Sequence, residues 1–330
     1  MLKLKEKRMN RIPLKKLLVL IVASLMLPFM PGEARGEKRI GVLLSDEDPR
    51  YVDCKNGVLE QLQEDGYVGP GVTFTIDSAR SSKARFTELV RIFTLAKMDL
   101  IIPIGTPAAI AVTREIKDVP VVFGMVYDPV EAGIAADWKN SGNNTTGASP
   151  LIPMSTLVDR LKEFKPTKTL AVLYSADEKQ SRIQLLELQK IQSSSQIKIL
   201  PVILSERAEV AMTLSSVVRD ADAIYLTGAG VIGASVPIIT SMADRARVVT
   251  MTHLPDYVDK GVLLGVCANP YLVGRLAGKK AAQVLKGVKP SAIPIEREKK
   301  VDLILNLKAV KVGQFQISPS FLKKVTKTIE

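Results

Sequence analysis

Cysteine, histidine and tryptophan are scarce in this chain, and each scarcity narrows what it can be. Its 330 residues hold two cysteines, one histidine and one tryptophan. In an oxidising compartment Cys54 and Cys267 either pair or stand as two separate buried thiols, since sequence spacing does not fix their distance. A metal site or hydrolytic triad would have to centre on His253, the lone histidine. No nucleophile elbow, paired cysteine ligands or His-x-x-x-His spacing accompanies it. Asp46, Glu47 and Asp48 cluster, but they lack the Asp/Asn/Gly spacing of a calcium loop. The lone Trp138 lies well past a strand end and reads as packing near a connector. Short-period repeats and low-complexity tracts are missing. After Phe29 no run of about 18 apolar residues occurs, so no further membrane span is expected.

What is present begins with an export signal. Lys3, Lys5, Lys7, Arg8, Arg11, Lys15 and Lys16 form a basic opening, followed by an apolar core of 13 residues, Leu17 to Phe29. Pro31 and Gly32 break it, and Ala34-Arg35-Gly36 supplies small residues at the two positions a signal peptidase reads. Residues 1–36 are therefore expected to be cleaved, leaving the rest in the periplasm. No cysteine stands directly behind the apolar core, in residues 30–36, so no lipid anchor is expected. The whole chain carries 46 Lys+Arg and 34 Asp+Glu. Eight basic and two acidic residues fall in the first 36, leaving 38 against 32, a net +6. That surplus is mild and reads as a solvated surface. It lacks the concentrated basic face that nucleic-acid binding requires.

The most informative stretch is Asp99 to Gly133. Leu100–Ile104 is a short apolar run, long enough for a buried strand and too short for a helix. Gly105-Thr106-Pro107 then permits a tight turn, a capping hydroxyl and a proline at the first helical position. Val119–Val126 reads as a second buried strand ending at Tyr127-Asp128-Pro129. Two buried strands joined by a helix imply a parallel sheet, whose ligands sit beyond the carboxyl ends of the strands. Thr106, Pro107, Tyr127 and Asp128 lie at two such ends.

The alternation runs through the chain. Strands are expected at Arg39–Leu44 and Val72–Ile76, and a helix at Ser82–Ala96. The polar segment Asn140–Gly147 reads as a connector between lobes. The pattern restarts with a strand at Thr169–Tyr174 and a helix at Arg182–Ser193. Strands follow at Ile197–Leu204, Ala223–Thr227, Val248–Thr252 and Val262–Val266. Two successive βαβαβ runs predict an α/β protein of two doubly wound, Rossmann-like lobes. A helix over Tyr271–Leu285 and a strand at Val301–Leu305 suit a chain that crosses back between them.

Gly228-Ala229-Gly230-Val231-Ile232-Gly233 matches GxGxxG after a strand. Its place deep in the second lobe, the missing acid after the next strand and the export signal argue against a dinucleotide. The glycines are read as letting backbone amides approach a ligand, or as a simple turn.

IGTPAAIA, VPVVFGMVYDPVEAGI and NNTTGAS, with the later NPYLVGRLAGKKAAQVLKGVKPSAIPIE and LILNLKAVKVGQFQISPSFL, resemble consecutive hallmarks of the ABC-transporter substrate-binding proteins that include tryptophan- and tyrosine-type binders. The resemblance covers essentially the whole chain after residue 36. It implies a type I periplasmic binding fold with a three-crossover hinge, a ligand in the cleft, an ABC permease in the inner membrane as partner, no cofactor and no enzyme activity. A monomer is expected, binding a small polar or amphipathic molecule, amino-acid-like ligands included. Position by position, Asp46, Ser78, Thr106, Asp128, Ser175, Ser181, Thr227 and Asn269 would face the ligand, joined by Pro107, Tyr127 and Gly228. Where many members carry an Asp-Asn pair after a strand, this chain has Thr227-Gly228-Ala229-Gly230. The expected lobes are residues 37–147 with 268–288, and 148–267 with 289–330. A periplasmic sensory module is the rival reading, and an exported enzyme using His253 a remote one.

Overall fold

Short apolar strands, most of them followed by a helix, build two sheets. The computed structural model describes residues 37–330, and the export signal expected over 1–36 lies outside the described residues. The first run comprises β1 (Lys38–Leu44), α1 (Pro49–Glu64), β2 (Val72–Ser78), α2 (Lys83–Leu95), β3 (Leu100–Ile104), α3 (Thr106–Glu115), β4 (Val121–Phe123) and β5 (Thr145–Ser149). The second comprises α4 (Met154–Phe164), β6 (Thr169–Tyr174), α5 (Lys179–Lys190), β7 (Lys198–Ile203), α6 (Val210–Asp220), β8 (Ala223–Leu226), α7 (Gly230–Arg245), β9 (Val249–Thr252), α8 (Pro255–Asp259) and β10 (Leu264–Ala268). The chain then adds α9 (Pro270–Leu285), β11 (Glu296–Arg297), β12 (Val301–Asn306), α10 (Leu307–Val312), α11 (Pro319–Leu322) and β13 (Lys327–Ile329).

The first sheet has the order β11-β5-β4-β3-β1-β2 and the second β13-β12-β10-β9-β8-β6-β7. β12 runs antiparallel to β10, and the other paired strands run parallel. Parallel strands covered by helices on both faces bury every side chain, which is why β3 is buried at all five positions. The two-residue period divides the load. Ile40, Val42, Leu44, Leu100, Ile102 and Ile104 pack with Val58 and Leu62 of α1 and Val273 and Ala277 of α9. Leu43 and Ile101 face the other way, onto Leu89 and Phe93 of α2 and Val112 of α3.

The chain passes between the lobes three times: after β5, after β10 and after β11. β11 pairs with β5, so the chain stays in the first sheet through Arg297, beyond the boundary expected at 288. The segment Asn140–Gly147, expected as a connector, instead enters β5, which pairs with β4. The strand expected over Val119–Val126 is only Val121–Phe123 with a bridge at Gly124, because Met125 takes φ +56 and turns the chain out of the sheet. The Val262–Val266 strand lies at Leu264–Ala268, and the Arg182–Ser193 helix starts earlier, at Lys179.

The returning helix α9 is fastened to α1 by backbone contact. A Cβ on Gly57 would lie 2.2 Å from the Tyr271 carbonyl oxygen, and one on Gly274 would lie 2.0 Å from the Cys54 carbonyl oxygen. Only hydrogen fits at these two positions, and the short distance between helix axes follows from that. Arg275 adds ion pairs to Glu60 and Glu64. Buried Lys280 donates to the Pro294 carbonyl and to Glu296, each at 2.7 Å, and so ties α9 to β11.

Both cysteines are free and buried, Cys54 on α1 and Cys267 in β10. Burial pushes the Cys54 thiol well above its ordinary range.

Candidate functional site

Where β3 stops, Gly105 adopts φ +97, a left-handed turn that a side chain resists. A Cβ there would also meet the Ser45 hydroxyl. That hydroxyl accepts from the Ala108 amide at 3.1 Å, taking one of the free N–H groups at the start of α3. Thr106 Oγ1 accepts from the Tyr127 amide at 3.4 Å, and Ser149 Oγ donates to the Tyr127 carbonyl at 2.5 Å. The backbone of Tyr127 is thus clamped by two hydroxyls from its own lobe. Its ring reaches the other lobe, where the phenol donates to Glu187 Oε2 on α5 at 2.9 Å.

In the second lobe, Ser181 Oγ accepts from the Ser175 amide at 3.0 Å and lies 2.6 Å from Thr227 Oγ1. Gln184, one turn further along α5, accepts from the Gly228 amide at 3.3 Å. That bond assigns the amide orientation, so Gln184 Nε2 is the donor toward His253 Nε2 at 3.3 Å. His253 Nδ1 then carries the proton and donates to the Tyr225 phenol oxygen at 2.6 Å. The Tyr127 ring meets His253 edge-on at 5.3 Å, joining the two halves of the network. Burial, reinforced by the Arg50 charge, lowers the His253 pKa from 6.5 to about 3. The imidazole is neutral at pH 7. Burial also raises Glu187, against the bond it accepts from Tyr127.

A second bridge spans the cleft. Arg50, at the start of α1, donates from Nη1 to both oxygens of Asp256 on α8, at 3.1 and 2.9 Å. Its Nη2 donates to Asp48 at 2.7 Å. The Tyr51 ring lies under the guanidinium at 4.8 Å and the Tyr257 ring at 6.0 Å. Arg50 is 8% exposed and Asp256 3%, so this ion pair between lobes is held out of water.

Thr106, Tyr127, Ser175, Ser181, Thr227 and Gly228 therefore fall into one connected set. Other predicted site residues are engaged locally. Asp46 accepts from Ser81 Oγ at 2.5 Å and from the Glu47 amide. Ser78 accepts from the Arg80 amide. Asp128 Oδ1 accepts from the Val130 and Glu131 amides. Asn269 caps α9 through the Leu272 amide, and Pro107 occupies the first turn of α3. The glycine run has a local explanation too. Gly230 donates to Glu178 Oε1 at 2.6 Å, so a carboxylate sits where a pyrophosphate would need that amide. A Cβ on Gly233 would come within 2.6 Å of the Tyr257 hydroxyl.

Arg50, Gln184, Glu187 and Asp256 did not emerge from the sequence. Gln184 follows Ser181 by three positions, which puts both on one face of α5. Arg50 is the cation directly behind Asp46–Asp48.

The chain matches the family described as ABC transporter substrate binding protein over residues 39–329. It belongs to that family. It is 27% identical over 287 residues to a tyrosine-binding protein of Clostridioides difficile (strain R20291), covering 86% of this chain and 83% of that one. Its structure resembles an ABC domain from Streptococcus pneumonia in complex with L-Trp, with a TM-score of 0.82, 26% identity, and coverage of 89% of this chain and 100% of that one. It also resembles the ligand-free, open structure of a Clostridium difficile substrate binding protein with adhesive properties, with a TM-score of 0.75, 25% identity, and coverage of 89% and 100%. The substrate-binding protein described here therefore has the two-lobed α/β architecture of the type I periplasmic binding fold. Family members are solute-binding proteins that work with ABC permeases.

Proposed function

We propose that this protein is the exported, periplasmic component of an ABC importer. It captures an amphipathic amino acid with an aromatic side chain between its lobes and delivers it to a permease in the inner membrane. The observation that carries the reading is the pair of bridges between lobes, Tyr127 to Glu187 and Arg50 to Asp256. Polar groups buried at both bridges suit a cleft that closes on a solute and replaces its water. The likeness to relatives that bind tyrosine and tryptophan supports the ligand class. Closing around a ligand shifts the population toward a form that a permease distinguishes from the open one.

An enzyme built on His253 is disfavoured. Both ring nitrogens are already hydrogen-bonded within the protein, and the ring is 6% exposed.

The test is calorimetric titration of residues 37–330 with a panel of amino acids. L-tyrosine or L-tryptophan is expected to bind with a negative heat-capacity change, the mark of apolar burial. Binding of a different solute class would replace the ligand assignment. Absence of binding across amino acids, sugars and nucleosides would overturn the reading.

A further inference from the structure

The positive charge of this protein is gathered at one pole. Residues 162–168, 244–247 and 307–330 contain ten cations, namely Lys162, Lys165, Lys168, Arg245, Arg247, Lys308, Lys311, Lys323, Lys324 and Lys327. The same segments contain three acids, Glu163, Asp244 and Glu330. The remainder of residues 37–330 holds 28 cations and 29 acids, so the whole surplus sits in these segments.

Topology brings the three together. Lys168 precedes β6 and Arg247 precedes β9, at the amino ends of strands whose carboxyl ends face the cleft. β12, antiparallel to β10, delivers α10 to that same end. Lys165 Nζ donates to the Arg247 carbonyl at 3.1 Å and lies 5.7 Å from the Phe315 ring centroid. Phe164 packs against Phe315 at 6.0 Å and Phe321 at 5.2 Å. Lys198 and Asp222 both touch the backbone of Lys168 and cancel one another. Nine of the ten cations are exposed and Lys165 is half-buried. Among the described residues, only Lys324 has a carboxylate in ion-pair range, Glu163 at 3.1 Å. Between the lysines stand two exposed apolar side chains, Val312 at 58% and Leu322 at 49%.

We infer that this pole is an adsorption surface for an anionic lipid bilayer. The cations come from separate segments and are spread over a lobe end, which suits a planar array of headgroups. Exposed aliphatic side chains among lysines suit the boundary between headgroups and acyl chains. The inference is independent of what the cleft binds.

The experiment is co-sedimentation of residues 37–330, one compact unit, with phosphatidylglycerol–phosphatidylcholine vesicles and with phosphatidylcholine alone. Adsorption to the anionic vesicles only, lost as salt rises, is expected. The triple variant Lys308→Glu, Lys311→Glu, Lys323→Glu should partition on the order of a hundredfold more weakly, at roughly fivefold per cation. Reversing the same charge on the other lobe, with Lys83→Glu, Lys139→Glu and Lys286→Glu, should leave most adsorption in place. Circular dichroism establishes that both variants fold, and Lys→Gln at the same three pole positions repeats the test with smaller perturbation. Failure to adsorb, equal adsorption to phosphatidylcholine, or equal loss in both triple variants overturns the inference. Retention on an acidic protein column without vesicle binding would overturn it too, in favour of a protein partner.

Discussion

His253 is held neutral by its surroundings. Its folded pKa of about 3 lies below the ordinary 6.5, so protonation favours the unfolded chain. The contribution is fully present above about pH 6.5 and is lost as pH falls toward 3, at up to about 1.4 kcal/mol per pH unit. Replacing it by His253→Gln should flatten the acid limb of the stability profile. Urea unfolding of both proteins between neutral and acid pH reads this directly, and an unchanged limb would mean the imidazole is charged in the fold. Glu178 and Glu187, both raised by burial, act with the opposite sign in the acid range, so the difference between variant and parent isolates His253. Thr106 and Tyr127 were read from strand ends of a parallel sheet and Thr227 from the family resemblance, and all three enter the hydrogen-bond network between the lobes. Gln184 and Glu187 were not legible, since their role depends on how α5 is phased against the opposite lobe. Asp128 was legible as a strand-end acid, but a turn at Pro129 engages its carboxylate.

The contact between α1 and α9 decides whether the first lobe is complete. Gly274 faces backbone, which has no flexible side chain to move aside. Gly274→Ala should therefore destabilise the protein by roughly 1–3 kcal/mol or more, the scale of overpacking a tight contact. Chemical denaturation measures it, and a neutral result would mean the helices separate at no cost. The 3.6-residue periodicity of residues 271–285 announced this helix. The paired glycines that set its depth carried no such signal, because close approach is a property of two segments and not of one. The shortened β4 has the same origin. Apolar residues continue through Val126, but the positive φ of Met125 ends the ladder.

At the scale of the molecule, two lobes were predictable from the repeated βαβ pattern, and the family hallmarks implied the three crossings. The closed arrangement was not predictable. It rests on a pair separated by 206 positions, Arg50 and Asp256. Removing Asp256 takes away the partner of Arg50 on the opposite lobe and leaves it only Asp48 on its own lobe, so the loss stays below the about 3–5 kcal/mol of a fully stranded buried charge and falls on the contact between lobes. Asp256→Ala should thus populate the open form, and small-angle scattering should register a larger radius of gyration that an excess of cleft ligand reverses. An unchanged radius would mean that the pair does not hold the lobes together.

The triple crossing also sets an order of assembly. The amino-terminal lobe is begun first, yet α9 and β11, which cover α1 and complete the edge beside β5, come only after β6–β10 have been made. Until then a growing chain exposes the face of α1 that carries Gly57 and an unpaired strand edge. No single cut in the sequence separates the lobes, so neither can be inherited, expressed or exchanged as a contiguous piece.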